Sequence, residues 1–167
     1  IYALANQPDF NPSDFRDVTD SSVFSNPIVE NVFEFGSVVK PLIMAGALNE
    51  GVVTAKTTYT DNGSVVVEQK EISNFDKKAR GPNTSMQEVL TQSLNTGMVF
   101  VEKKLGKQKL RDYLFSFGIK DKTGIDLPNE TSGLVSNLNS PRELEYANAA
   151  FGQGIALSPI SMVRSLA

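Results

Sequence analysis

The sequence predicts a mixed α and β (α+β) fold in which a helical subdomain packs on an antiparallel sheet. Three observations carry that expectation. Several segments between residues 37 and 118 place apolar residues at helical spacing and stop at glycine. Two β-rich runs meet at Asp61-Asn62-Gly63. The chain has 167 residues, 40% of them apolar and 21% charged, which suits one soluble globular domain with a real core.

Taken in order, residues 1–6 read as the end of a strand. Residues 7–36 carry Pro8, Pro12 and Pro27 among many Asp, Asn and Ser, and read as loop with one short helical turn. Val38, Leu42, Met44, Ala45 and Leu48 predict a helix over 37–48, with Gly51 as its stop. The runs 52–60 and 64–69 are expected to pair as a hairpin, because Asn62-Gly63 tolerates the positive φ of a tight turn. Arg80-Gly81-Pro82-Asn83 reads as loop. A capping box then opens a helix to about Gln92 in one of two registers, Thr84 with Gln87 or Ser85 with Glu88. Helices over 96–105 and 107–117 end at Gly106 and Gly118, and 120–139 reads as loop. A short helix over 141–150 follows the Asn139-Ser140 cap, and Ser158-Pro159 opens a last one. The apolar start and mid-helix finish suggest that 1–167 is part of a single domain truncated at both ends, with most of the sheet outside it.

Composition excludes several chemistries. A net charge of −3 without a basic run argues against nucleic acid as partner. No stretch approaches the ~20 apolar residues of a membrane span. With no histidine and no cysteine, a Ser-His-Asp triad and a thiolate nucleophile or metal site are impossible. A serine nucleophile would need a lysine, a carboxylate or water as its base.

Ser37-Val38-Val39-Lys40 supplies such a lysine at a helix start. Residues three apart share a helix face, so Ser37 Oγ and Lys40 Nζ are expected within hydrogen-bond reach. Free N–H groups at the helix start suit an oxyanion beside Ser37. Phe35, Val38, Val39 and Leu42 are expected to desolvate Lys40 and lower its pKa from ~10.4. The plain alternative is a capping serine and a solvated lysine. Ser93-Leu94-Asn95 falls in the joint between two helices, where a hydroxyl can relay a proton and an amide can orient a peptide. Its plain alternative is helix capping.

Together these segments resemble the penicillin-recognising serine transpeptidases, and within them the class B penicillin-binding proteins, over essentially the whole chain. The carriers are Ala3 to Pro12, the nucleophile segment Glu34-Phe35-Gly36-Ser37-Val38-Val39-Lys40-Pro41, and Gln92-Ser93-Leu94-Asn95-Thr96. Phe117-Gly118-Ile119 with Thr123 to Glu130 and Gly133, and Phe151-Gly152-Gln153-Gly154 with Ser158-Pro159, complete the match. Phe35 stands where the family most often has proline. The family's third motif, Lys-Thr/Ser-Gly on a strand, is expected after the final helix. Lys122-Thr123-Gly124 spells it, but in a loop and too early, so it is not assigned to the site.

The resemblance implies a transpeptidase fold and a peptidoglycan D,D-transpeptidase that cross-links stem peptides through a serine acyl-enzyme. Ser37 would be the nucleophile, Lys40 the general base and Ser93 the proton relay, with Asn95 binding the donor peptide. It implies peptidoglycan stem peptides and β-lactams as ligands, no metal or organic cofactor, and cell-wall synthesis proteins as further partners. It also implies an extracytoplasmic location, with a membrane anchor N-terminal to this chain. This piece alone is expected to be inactive. A serine β-lactamase and a non-catalytic sensor or scaffold remain alternatives.

Overall fold

The computed structural model describes residues 3–167. Seven α-helices and four strands are described: α1 (Pro27–Glu30), α2 (Lys40–Asn49), β1 (Thr58–Asp61), β2 (Ser64–Val67), β3 (Lys70–Ser73), β4 (Gly81–Ser85), α3 (Met86–Thr91), α4 (Asn95–Leu105), α5 (Lys107–Ser116), α6 (Glu143–Ala149) and α7 (Pro159–Leu166). Residues 3–6 form no strand, and Ile1 and Tyr2 lie outside the described residues.

Helix α4 is the centre of the helical layer, packed against α2, α5, α6 and α3. It buries Met98, Val99, Val101 and Leu105 against Ile43, Met44 and Ala47 of α2, and Leu110 and Leu114 of α5 join the same cluster. The local signals for these helices are physical. Ser85 and Glu88 form the capping box that opens α3, each satisfying an N–H of the other's turn. Ser158 caps α7 and Pro159 takes its first position, where no N–H is needed.

The β region departs from the expected hairpin. β1 pairs with β4, Thr58 opposite Ser85 and Tyr59 opposite Thr84, while β2 pairs with β3 from Ser64–Ser73 to Val67–Lys70. The result is two small two-stranded antiparallel sheets. Asp61 is the reason. Its carboxylate is fully buried and accepts the Gly63 N–H at 2.9 Å, so the chain turns inward at Asn62-Gly63 and β2 leaves β1. The tight turn lies instead at Glu68-Gln69, with φ of 46° and 67°. Of the segment expected as loop, 80–83, residues 81–83 fall in β4; Pro82 is tolerated there because each sheet has only two strands and a free edge.

Helix α6 also starts differently. Its N-cap, Arg142, has no capping side chain; Glu68 from the β2–β3 turn accepts the Glu143 N–H at 2.8 Å. Ser140 Oγ accepts only the Arg142 N–H ahead of the helix.

Candidate active site

The nucleophile segment begins in a tight 3-10 turn, Gly36–Val39, that runs into α2. Gly36 has φ of 55°, which glycine adopts without a Cβ penalty. The turn is clamped from outside. Gly36 N–H donates to Gly152 O at 3.3 Å, Gly154 N–H donates to Glu34 Oε1 at 3.0 Å, and Phe33 exchanges backbone bonds of 3.0 and 3.1 Å with Leu157. The Phe151-Gly152-Gln153-Gly154 segment therefore braces the turn that carries Ser37. A Cβ on Gly152 would lie 2.1 Å from Gly36 O, so only glycine permits this approach.

Ser37 is exposed, whereas Lys40 is buried with 2% of its surface accessible. Burial pushes the Lys40 amine down to about 8. Lys40 Nζ donates to Ser93 O at 2.7 Å, Asn95 Oδ1 at 2.8 Å and Ser93 Oγ at 3.0 Å. Ser93 Oγ in turn donates to Ser37 Oγ at 2.9 Å. Among the described residues no hydrogen bond joins Ser37 Oγ to Lys40 Nζ directly. The expected contact between them is routed through Ser93, because the Lys40 amine is drawn to the α3–α4 joint, where Ser93 O, Ser93 Oγ and Asn95 Oδ1 take all three of its hydrogens.

The same heavy atoms accommodate both protonation states of the lysine. As an ammonium, Lys40 uses three donors on three acceptors. As a neutral amine it keeps N–H bonds to Ser93 O and Asn95 Oδ1, and its lone pair can accept from Ser93. The hydroxyl pair then reverses: Ser37 donates to Ser93, and Ser93 to Lys40. Ser37's own N–H has no hydrogen-bond partner among the described residues, leaving a donor beside its Oγ.

Ser93 holds φ of 54°, a left-handed conformation that costs a non-glycine residue about 1–2 kcal/mol. Asn95 is half-buried; its Oδ1 faces Lys40 and its Nδ2 donates to Ser73 O at 2.9 Å. The four candidate residues thus converge from the α2 start and the α3–α4 joint. Lys122-Thr123-Gly124 lies in a loop wrapped on the buried Glu130 carboxylate, with Thr123 N–H at 2.6 Å and Gly124 N–H at 3.0 Å.

The sequence reading did not foresee that Asp61, Asn74 and Thr96 form a buried polar group behind the joint. Nothing local marks their association, since the bonds that join the three run 13, 22 and 35 residues along the chain. Gly152 lay inside a recognised segment, yet only its contact with Gly36 reveals its part.

Against this geometry, similarity to known proteins is extensive. The family model for the penicillin binding protein transpeptidase domain matches residues 1–167. The chain is 35% identical over 167 residues to stage V sporulation protein D of Bacillus subtilis, covering 99% of this chain and 26% of that protein. It is 28% identical over 169 residues to the peptidoglycan D,D-transpeptidase FtsI of Escherichia coli, covering 98% of this chain and 27% of that protein. The crystal structure of penicillin binding protein 3 from Mycobacterium tuberculosis, complexed with aztreonam, superposes with a TM-score of 0.76 at 26% identity. The match covers 83% of this chain and 31% of that one. The chain therefore spans about a quarter of the length of these curated relatives. With the match running from its first residue to its last, the chain belongs to the family of penicillin-binding protein transpeptidase domains.

Proposed function

We propose that the protein containing this chain is a peptidoglycan D,D-transpeptidase of class B type, and that the chain is one part of its transpeptidase domain. The observation that carries the reading is the linked set Ser37–Ser93–Lys40, in which an exposed hydroxyl reaches a buried amine through a second hydroxyl. The names of the FtsI relatives and the aztreonam complex of a similar structure support the reaction and ligand class.

In this scheme Ser37 Oγ attacks the penultimate D-alanine carbonyl of a stem pentapeptide. The Ser37 proton moves to Ser93 Oγ as the Ser93 proton moves to neutral Lys40 Nζ. The Ser37 N–H is aimed at the developing oxyanion. Collapse breaks the peptide bond, and the D-alanine nitrogen takes a proton back through Ser93. An amine from a neighbouring stem then attacks the ester carbonyl. Its proton follows the same path, and Ser37 is released with its hydrogen restored. Asn95 holds the donor peptide through the second hydrogen of its Nδ2, the first being used on Ser73 O. β-Lactams acylate Ser37 by the same attack. The site acts outside the cytoplasm, with cell-wall peptides as substrate and cell-wall synthesis proteins as partners, as expected for this family's chemistry.

The test is covalent labelling of the full-length protein with a fluorescent penicillin, followed by washing. Stable, stoichiometric label on wild type and none on Ser37→Ala is expected; persistent label on Ser37→Ala refutes the assignment. Rapid loss of label from wild type would favour a β-lactamase, and label without transpeptidation of a stem-peptide donor would favour a sensor.

A further inference from the structure

Helix α4 begins immediately after Ser93 and Leu94, and Leu94 provides no capping side chain. A helix start leaves orphan N–H groups that need partners. Here the partner comes from the residue just after β3: Asn74 Oδ1 accepts the Thr96 N–H at 3.2 Å. Asn74 is itself fixed, since its Nδ2 donates to both Asp61 oxygens at 3.1 and 3.0 Å. Asp61 accepts in addition from Gly63 N, Arg80 N and Thr96 Oγ1, at 2.9, 3.1 and 2.8 Å.

Proton counting orients the cluster. A carboxylate and an amide oxygen both only accept, so Thr96 Oγ1 directs its single proton between Asp61 Oδ1 at 2.8 Å and Asn74 Oδ1 at 3.1 Å. Tyr59 OH, 3.0 Å from Thr96 Oγ1, is then the donor of that pair. Asp61, Asn74 and Thr96 are all buried, with 0%, 3% and 5% of their surface accessible. Every polar atom in this group that is placed against another has a complementary partner, which makes the arrangement stiff.

One residue away along each of these two segments stands the reacting set. Asn95, before Thr96, donates to Ser73 O and accepts from Lys40; Ser73 immediately precedes Asn74. Ser93 sits in its left-handed conformation at the same joint. Building on the transpeptidase reading above, we infer that Asp61, Asn74 and Thr96 are positioning residues. They dock the start of α4 onto the strands and so keep Ser93 Oγ between Ser37 and Lys40. None of them touches the reacting atoms.

The test compares Thr96→Val and Thr96→Ser in the full-length protein. Valine keeps the shape but removes the hydroxyl, leaving Asp61 and Tyr59 each short of a partner; serine keeps the hydroxyl. Acylation by a fluorescent penicillin is followed in time at a temperature where all variants are folded. Thr96→Val is expected to acylate about tenfold or more slowly, because sub-ångström misplacement of a relay is costly, yet to reach stoichiometric label. Thr96→Ser is expected within about threefold of wild type. Leu110→Ala, a core truncation in α5, serves as the control for lost stability alone, with an unchanged rate per folded molecule. Thr96→Val acylating at the wild-type rate while melting earlier overturns the inference and leaves a purely structural cluster. Should Thr96→Val not fold, Asn74→Ala removes the cap on Thr96 N–H, and the same slow, complete labelling supports the inference while a wild-type rate overturns it. Absence of label on wild type, or label on Ser37→Ala, strikes the transpeptidase reading instead.

Discussion

Replacing Gly152 with alanine is expected to damage the nucleophile turn from behind, without touching Ser37, Lys40 or Ser93. Two costs add. Gly152 holds φ of 81°, a conformation that costs an L-residue about 1–2 kcal/mol. The new Cβ would also stand 2.1 Å from Gly36 O and 2.6 Å from Gly36 C. Ordinary carbon–oxygen contact is about 3.3 Å, so the two backbones must part by roughly 1 Å. Overpacking of this kind costs about 1–3 kcal/mol. The sum, about 2–5 kcal/mol, falls on the Gly36–Gly152 contact. Because Ser37 follows Gly36, the displacement reaches Oγ, and a shift near 1 Å is worth about 100-fold in rate. Gly124→Ala is the matched control: its φ is 77°, but a Cβ there meets nothing within 4 Å. Thermal melting and penicillin acylation kinetics of both variants decide the matter. Gly152→Ala acylating like Gly124→Ala would show that the clamp does not set the position of Ser37.

Two further outcomes concern charge. Acylation should rise with pH and reach half its plateau near 8, as Lys40 loses its proton, because burial has lowered its pKa from 10.5 to about 8. The same shift makes the Lys40 contribution to folding stability present above 10.5 and lost as pH falls through about 8. Measured acylation rates that stay flat through that window would remove Lys40 as the base. Glu102 of α4 is buried, and burial first, then the neighbouring Glu143, raises its carboxyl to about 7 from an ordinary 4.5. A raised pKa means its contribution is fully present below 4.5 and lost as pH climbs through about 7. Glu102→Gln should therefore gain in melting temperature over wild type as pH rises across that range; a difference independent of pH would contradict the assigned burial cost.

Much of the helical layer was legible because its signals are local. The Ser85–Glu88 box, the Ser158 cap with Pro159, and the stops at Gly106 and Gly118 each act within a turn of their own position. The sheets were misread for the opposite reason. Asn62-Gly63 is a strong turn signal, but Asp61 beside it is drawn inward by Asn74 and Thr96, partners 13 and 35 residues away. Likewise Glu68-Gln69 carries no sequence mark of a tight turn; Glu68 is held by the α6 start and Arg142. The candidate site was readable from the resemblance of two short segments, and their convergence is a property of tertiary packing. That Ser93 would stand between Ser37 and Lys40 was hidden, because the Lys40 amine is drawn to partners 53 and 55 residues away, Ser93 and Asn95.

Two helices in this domain start on borrowed acceptors, α4 on Asn74 and α6 on Glu68, both supplied by the β2–β3 hairpin or its exit. A lone two-stranded hairpin is marginal in water, and an uncapped helix end frays. Neither partner is therefore a spare part. The hairpin and the two helix starts melt or persist as one cooperative unit, so loosening of that small ribbon unseats the proton path together with it, rather than exposing it intact.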